Sequence, residues 1–368
     1  MTESPTIESL GVSAYRIPTE VPEADGTLSW DQTTVVVVEP RLSDGTVGLG
    51  YAYGTAAMVP LIRDVLAPAV LSTMVHRNAD CWQAMVRAIR NLGRPGLCSM
   101  AIAAVDIALW DARARAAGQP LPLLLGQVRD SVPVYGSGGF TTYSDDLLVE
   151  QMRGFVEAGI PRVKMKIGKD RGADPKEDLR RVRLVRQEIG DAAELFVDAN
   201  GAYDRTTAWE VGRWLHEQAG VSWFEEPVSS DDREGLAFLR SVLPLDVTAG
   251  EYGYDLSYFA TMLESRAVDV LQADVSRCAG ITEWLRVAAL ARAHQTPLSA
   301  HCAPGLHVAP ASCADNLRHI EYFHDHTRID QLLFEGTPAA ERGALPVGRE
   351  PGMGLRLKPG PAAAHRVA

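Results

Sequence analysis

Two lysines stand two residues apart in Val163-Lys-Met-Lys-Ile-Gly168. The stretch is apolar at alternate positions and stops at glycine, the pattern of a strand that ends in a loop. Side chains at i and i+2 of a strand share a face, so Lys164 and Lys166 present two ammonium groups about 7 Å apart. A lysine pair inside a core strand is costly unless the site is wet or holds anions. Anions follow in order along the chain. Asp198, Glu225 and Glu251 each close a short apolar run, at intervals of 27 and 26 residues. Brought together, three carboxylates repel unless a cation sits among them, and an all-oxygen set suits a hard ion, Mg²⁺. Asp274 and His301 close the next two runs. A carboxylate bonded to imidazole fixes its tautomer and raises its basicity, which makes a general acid or base. Glu321, in an eighth run, is placed to donate a hydrogen bond if it is held protonated.

This chemistry needs an architecture that brings distant strand ends to one place. From Ser131 onward, short apolar runs alternate with amphipathic helical stretches about every 25 residues. They are Val132–Gly136, Val163–Ile167, Leu195–Asp198, Val221–Glu225, Val247–Glu251, Val268–Asp274, Pro297–His301 and His319–Phe323. Strand–helix alternation of this length predicts βαβ units and an α/β barrel, whose strand C-termini converge on one mouth. The helix after the lysine strand has Asp174 as N-cap, Pro175 in its first turn and Glu177 as capping-box partner. Within Trp223-Phe-Glu-Glu-Pro227, Glu225 is expected to face inward and Glu226 outward, since adjacent strand residues face opposite ways.

The first third reads as α+β. A hairpin spans Thr33–Glu39 and Val47–Tyr53 around Ser43-Asp-Gly45, and helices follow at Ala79–Asn91 and Ser99–Ala117. Expected boundaries are 1–127 for a capping domain, 128–336 for the barrel and 337–368 for a Gly/Pro-rich tail returning over the first domain or the barrel. The loops 19–31, 51–57 and 137–143 carry Glu20, Glu23, Asp25, Trp30, Tyr53, Thr141 and Tyr143, which read as ordinary surface residues with the polarity to meet a hydroxylated substrate.

Composition narrows the partners. The 368 residues are 46% hydrophobic with a net charge of −11, which argues against nucleic acid or an anionic membrane as partner. Five scattered cysteines without a CxxC pair fit free thiols in a reducing compartment. The segment MTESPTIESL has no basic start and no long apolar run, and no stretch approaches a membrane span, so a cytoplasmic protein is expected.

The ordered set resembles the enolase superfamily, and within it the mandelate racemase subgroup. The matching pieces are Lys164-x-Lys166, Asp198-Ala-Asn200-Gly, Trp223-Phe-Glu-Glu-Pro227, Gly250-Glu251, Gln272-Ala-Asp274-Val-Ser-Arg-Cys-Ala-Gly-Ile-Thr, His301 and Glu321. Ala101–Ala117 looks like the last helix of that family's capping domain. The resemblance implies a modified (β/α)₇β barrel with an α+β cap, and Mg²⁺ on Asp198, Glu225 and Glu251. It implies Lys166 and the His301–Asp274 dyad as the acid/base pair, and Glu321 as the electrophilic hydrogen-bond donor. Lys164 is placed at the substrate carboxylate, with Asn200 and Tyr53 as further candidate contacts. The cation and Lys164 are expected to lower the Lys166 pKa so that it acts as a neutral base. The implied reaction is removal of a proton α to a carboxylate. Dehydration of a sugar acid, an aldonate or aldarate, is the leading outcome. Racemisation, epimerisation or cycloisomerisation is the alternative, and a metal-binding barrel without turnover the remote one. The implied partner is a small-molecule carboxylate, and homo-oligomerisation is expected by analogy alone.

Overall fold

The structure, a computed structural model, describes residues 4–368; the first three residues of the N-terminal segment read above lie outside it. Its centre is a closed barrel of eight parallel strands. These are β4 (Ser131–Gly138), β5 (Arg162–Lys166), β6 (Glu194–Asp198), β7 (Val221–Glu225), β8 (Asp246–Ala249), β9 (Val270–Ala273), β10 (Leu298–Ala300) and β11 (Leu317–Phe323). Each pairs with the next in sequence, and β11 pairs with β4 to close the ring. Each apolar run expected as a barrel strand has its counterpart here. The outward residues of these strands join the inner faces of the surrounding helices in one continuous core.

The lumen is filled by rings. Tyr135, Phe196, Trp223 and Val270 form a separate buried cluster, with Phe196 stacked on Trp223 at 5.2 Å and His319 beside Trp223. Aromatic packing at this depth closes the barrel floor, so polar strand ends above it meet a solid base rather than a pore.

The N-terminal region is a three-stranded antiparallel sheet, β1 (Ile7–Ala24), β2 (Ser29–Leu42) and β3 (Gly50–Tyr53), backed by helices Asn78–Ala88 and Leu97–Ala116. Together these make the α+β cap. β1 escapes the hydropathy pattern, because Pro18, Pro22 and several glutamates interrupt its alternation. Residues 19–31, expected as a loop, are therefore mostly the paired ends of β1 and β2, with Glu23 opposite Trp30. Residues 51–57 likewise begin inside β3. The hairpin tip docks on the barrel through Gly26, where an added Cβ would lie 2.5 Å from the Ala199 carbonyl oxygen. Glycine is what permits that approach.

The tail returns to both bodies. Ala344–Pro346 runs antiparallel to β4, and the Val367 amide donates to the Ala14 carbonyl oxygen of β1. Asp174 caps its helix as expected, accepting from the Lys176 and Glu177 amides, but Glu177 does not complete a capping box. Its carboxylate is taken by Arg180 at 2.7 Å, a stronger charged partner than a backbone amide.

Candidate active site

Strand register sets the site. Lys166 lies opposite Asp198 across β5 and β6, and Asp198 lies opposite Glu225 across β6 and β7. The three side chains thus stand side by side at one level of the mouth. Glu251 joins them from just beyond β8. It follows Gly250, whose φ of +141° and absent Cβ let the chain pass the Gln272 carbonyl oxygen, which an added Cβ would meet at 2.0 Å. Asp198, Glu225 and Glu251 bring one carboxylate oxygen each within 4.8 Å of one another, all three residues buried. Glu225 Oε1 is buried with no hydrogen-bond partner. Burial, then the charge of Asp198, push the Glu225 pKa up to about 7. A crowded, under-partnered oxygen set of this kind fits a hard divalent cation such as Mg²⁺.

Glu226 departs from the expected outward orientation. Its φ is +39°, which breaks strand alternation at the end of β7, and it is 1% exposed. Its Oε1 also lacks a partner, and burial followed by the charges of Glu251 and Asp198 raises its pKa. It lines a cavity of about 750 Å³ that adjoins the site.

The two lysines occupy different depths. Lys164 is fully buried, with Nζ 2.6 Å from Glu225 Oε2 and 2.8 Å from Glu321 Oε1. Trp223 Nε1 donates to the same Glu225 oxygen at 3.1 Å, and the Tyr135 hydroxyl lies 3.4 Å from Lys164 Nζ. Lys164, expected at a substrate carboxylate, is here committed to the protein's own acids from below. Lys166 sits higher, at the cavity wall, and pairs with Asp198. Burial lowers the Lys166 pKa, but the charges of Asp198, Glu251 and Glu225 together outweigh it and the net shift is upward. The expected lowering is therefore not the state of this arrangement; it requires the charge of Asp198 to be taken by a cation.

On the opposite side, His301 Nδ1 lies 2.8 Å from Asp274 Oδ2, and Asp274 Oδ1 accepts from the amide and hydroxyl of Ser276, each at 2.7 Å. Burial opposes ionisation of Asp274, but the hydrogen bond and charge of His301 hold its pKa below the usual range. His301 Nε2 faces Glu251 Oε2 at 3.2 Å. Burial lowers the His301 pKa, while Cys302, Glu251 and Asp274 outweigh it and raise it overall. His307 accepts from the Val275 amide at 2.9 Å, a structural bond inside the fold.

Glu321 was expected to be protonated, and its surroundings argue otherwise. The Ser137 hydroxyl donates to Oε1 at 2.6 Å and the Cys302 amide to Oε2 at 2.9 Å, with Lys164 also on Oε1. Burial raises its pKa, but the charges of Lys164, His301 and Lys166, with the Lys164 hydrogen bond, together outweigh that and favour the ionised form. The Lys164 ammonium and the donors on both oxygens favour the carboxylate over the carboxyl form.

Between cap and barrel lies a cavity of about 360 Å³. Lys166, Asn200, Glu251 and His301 reach it from the barrel, Trp30 and Tyr53 from the cap. Asn200 Oδ1 is buried without a partner, so it is free to accept from a ligand, while its backbone N–H donates to Asp198 Oδ1. Tyr53 borders the cavity with its ring, stacked on His326, but its hydroxyl donates to Asp330 at 2.7 Å and is not available as a substrate contact. Glu23, Thr141 and Tyr143 are buried rather than surface residues. Glu23 accepts from Trp30 Nε1 at 2.9 Å, which orients the indole at the cavity. Sequence reasoning did not single out Ser137, Tyr135 or Trp223 as supports of the site. Trp223 carried a usable signal, since it stands two residues before Glu225 on the same strand face.

Comparison with known proteins agrees with this geometry. Residues 147–360 match the model of the enolase C-terminal domain-like family, and residues 12–126 that of the mandelate racemase/muconate lactonizing enzyme N-terminal domain. A mandelate racemase/muconate lactonizing enzyme-like protein from Rubrobacter xylanophilus superposes with a TM-score of 0.94 at 46% identity, covering 99% of this chain and 100% of that one. The L-talarate/galactarate dehydratase of Salmonella typhimurium LT2, solved with Mg and L-lyxarohydroxamate, has a TM-score of 0.90 at 28% identity, covering 100% of this chain and 94% of that one. The 3,6-anhydro-alpha-L-galactonate cycloisomerase of Streptomyces coelicolor is 31% identical over 95% of this chain and 97% of its own length. With both family models matched in order, and the barrel and cap they describe present in the structure, the chain belongs to the mandelate racemase/muconate lactonizing enzyme family of the enolase superfamily.

Proposed function

We propose that this protein is a magnesium-dependent acid-sugar dehydratase, converting an aldonate or aldarate to a 2-keto-3-deoxy acid. The observation that supports it most is the arrangement across one cavity: Lys166 against Asp198 on one side, His301 against Glu251 on the other, with Glu225 completing the carboxylate group. Held by Asp198, Glu225 and Glu251, Mg²⁺ supplies electrostatic stabilisation of the developing negative charge and takes up the acid charge that otherwise keeps Lys166 protonated.

Neutral Lys166 removes the proton from the carbon next to the substrate carboxylate, and the C–H electron pair moves into the carboxylate as an enediolate. Collapse of that pair breaks the bond to the β-hydroxyl. His301, oriented through Nδ1 by Asp274, whose hydrogen bond favours the imidazolium, gives its Nε2 proton to the departing oxygen, so water leaves. The resulting enol tautomerises to the 2-keto acid. Lys164 supports the charge from beneath through Glu225 and Glu321, and Asn200 offers its free carbonyl oxygen to a substrate hydroxyl. Thr33, Thr34 and Gln32 on the cap wall suit a hydroxylated chain.

The test is a screen of aldonates and aldarates with Mg²⁺, read by semicarbazide-reactive 2-keto product. Product from wild type and none from Lys166→Ala is the expected result. The cycloisomerase relative favours one other reading, an isomerase using the same residues. Solvent deuterium entering Cα without loss of water would establish that reading and overturn the dehydratase.

A further inference from the structure

His301 is followed by a cysteine whose side chain does not leave the chamber. Cys302 has a φ of +51° and Ala303 one of +40°, consecutive left-handed residues that strand-to-helix turns seldom use outside glycine. This turn keeps Cys302 at 5% exposure against two other potential ligands. Cys302 Sγ lies 3.4 Å from His301 Nε2 and 3.4 Å from Glu321 Oε2, and those two atoms are 3.8 Å apart. A tetrahedral zinc ion with metal–ligand bonds of about 2.0–2.3 Å sets its donor atoms about 3.3–3.6 Å apart, so the triangle is close to one face of such a tetrahedron. The outer contacts are of the kind that orient ligands. Asp274 holds His301 through Nδ1, leaving Nε2 toward the triangle. Ser137 and Lys164 hold Glu321 through Oε1, and the Cys302 amide donates to Oε2 at 2.9 Å, which leaves that oxygen its second lone pair. His301 and Cys302 both line the cavity, which leaves an open side for a fourth ligand.

We propose that His301, Cys302 and Glu321 form a second divalent-cation site, distinct from the three-carboxylate group and suited to a thiophilic ion of the zinc class. The carboxylate group offers hard oxygens alone, whereas this triangle offers nitrogen, sulfur and oxygen, so the two sites sort ions by softness. Binding displaces the thiol proton and requires an unprotonated Nε2, and both protons pass to solvent. Occupation takes Nε2 out of proton transfer, so the ion inhibits; this consequence, unlike the binding itself, rests on the reading of His301 as an acid/base group.

The experiment uses the full chain saturated with Mg²⁺ and titrates Co²⁺ as a spectroscopic stand-in for zinc. One equivalent is expected to bring a near-ultraviolet thiolate-to-cobalt charge-transfer band with the intense visible bands of tetrahedral cobalt, and Zn²⁺ to bleach both. Cys302→Ser should lose the charge-transfer band and Cys313→Ser should keep it. Cys302→Gly, which suits the left-handed backbone, provides a second chain without the thiol should the serine variant fold poorly. A wild type without the sulfur band, or a Cys302→Gly chain that retains it, overturns the site; cobalt entering the carboxylate group alone gives that first result. Zn²⁺ should then slow α-proton exchange. Cys302→Ser should raise the concentration for half-inhibition by about tenfold or more, each chain scaled to its own rate. Equal zinc sensitivity in both chains overturns the inhibitory role. A protein with no turnover on any acid sugar is still decided by the cobalt spectrum, which keeps failure of the site apart from failure of the dehydratase reading.

Discussion

Two sets of buried carboxylates sit within the same chain and behave in different ways. At the barrel mouth, Asp198, Glu225, Glu251 and Glu321 are crowded together and faced by Lys164, Lys166, Arg277 and His301. Where the cap meets the barrel, Glu23 and Asp330 are as deeply buried but meet neutral donors. Glu23 accepts from Trp30, and Asp330 from the hydroxyls of Tyr51 and Tyr53 at 2.8 and 2.7 Å. Burial, with the Asp325 charge behind it, pushes Glu23 up to about 8, and burial pushes Asp330 up to about 7. Glu225, like Glu23, is raised by burial and a neighbouring acid, here Asp198, to about 7, but it is met directly by the Lys164 ammonium at 2.6 Å. The lesson is that buried acids met by neutral donors become neutral structural groups, while buried acids crowded together and met by counter-charge form a group that a cation can discharge.

The comparison can be broken most forcefully at Lys166. Lys166→Ala should reduce α-proton exchange by about 10²–10⁴-fold, and His301→Asn should reduce dehydration over the same range, measured as kcat. If the mouth acids form one cation site, Mg²⁺ at a hundred times its Kd should add about 3 kcal/mol to unfolding stability, seen as a higher Tm. Glu225→Gln should lose most of that gain, whereas Glu23→Gln should keep it in full.

The cap acids give a pH signature instead. The folded-state pKa of Glu23, about 8, exceeds its ordinary 4.5, so the folded protein holds the extra proton between those values. Its contribution to stability is therefore fully present below about pH 4.5 and is lost as pH rises through 8. Glu23→Gln cannot ionise, so its stability relative to wild type should climb across that window by on the order of a few kcal/mol, measured by denaturant unfolding at a series of pH values. Smallest of these effects, Tyr53→Phe should cost about 1 kcal/mol of stability by removing one donor from Asp330, with KM unchanged. A raised KM would return the Tyr53 hydroxyl to the substrate.

Much of the barrel was legible because a parallel sheet writes its strands as short apolar runs separated by helices. Asp198, Glu225, Glu251, Asp274 and His301 each close one of those runs, and Lys166 and Glu321 stand within two others, so their convergence followed from the period. The cap was harder to read. β1 carries prolines and glutamates toward its outer end, where its register against β2 shifts between Pro18 and Glu23, so it does not alternate as a regular half-buried strand does. Glu226 was misplaced because alternation was extended one residue past the strand end, where a left-handed φ turns the side chain inward.

What the sequence determined by itself was the inventory: which chemical type stands at the end of which strand, in an order and spacing specific enough for the family. Only the tertiary structure decided charge. Lys166 is held protonated, Glu321 ionised and Glu23 neutral by groups dozens to hundreds of residues away, Asp198, Lys164 and Asp325 among them. A pKa is set by desolvation and by neighbours a few ångströms distant, and neither is a property of a residue's place along the chain.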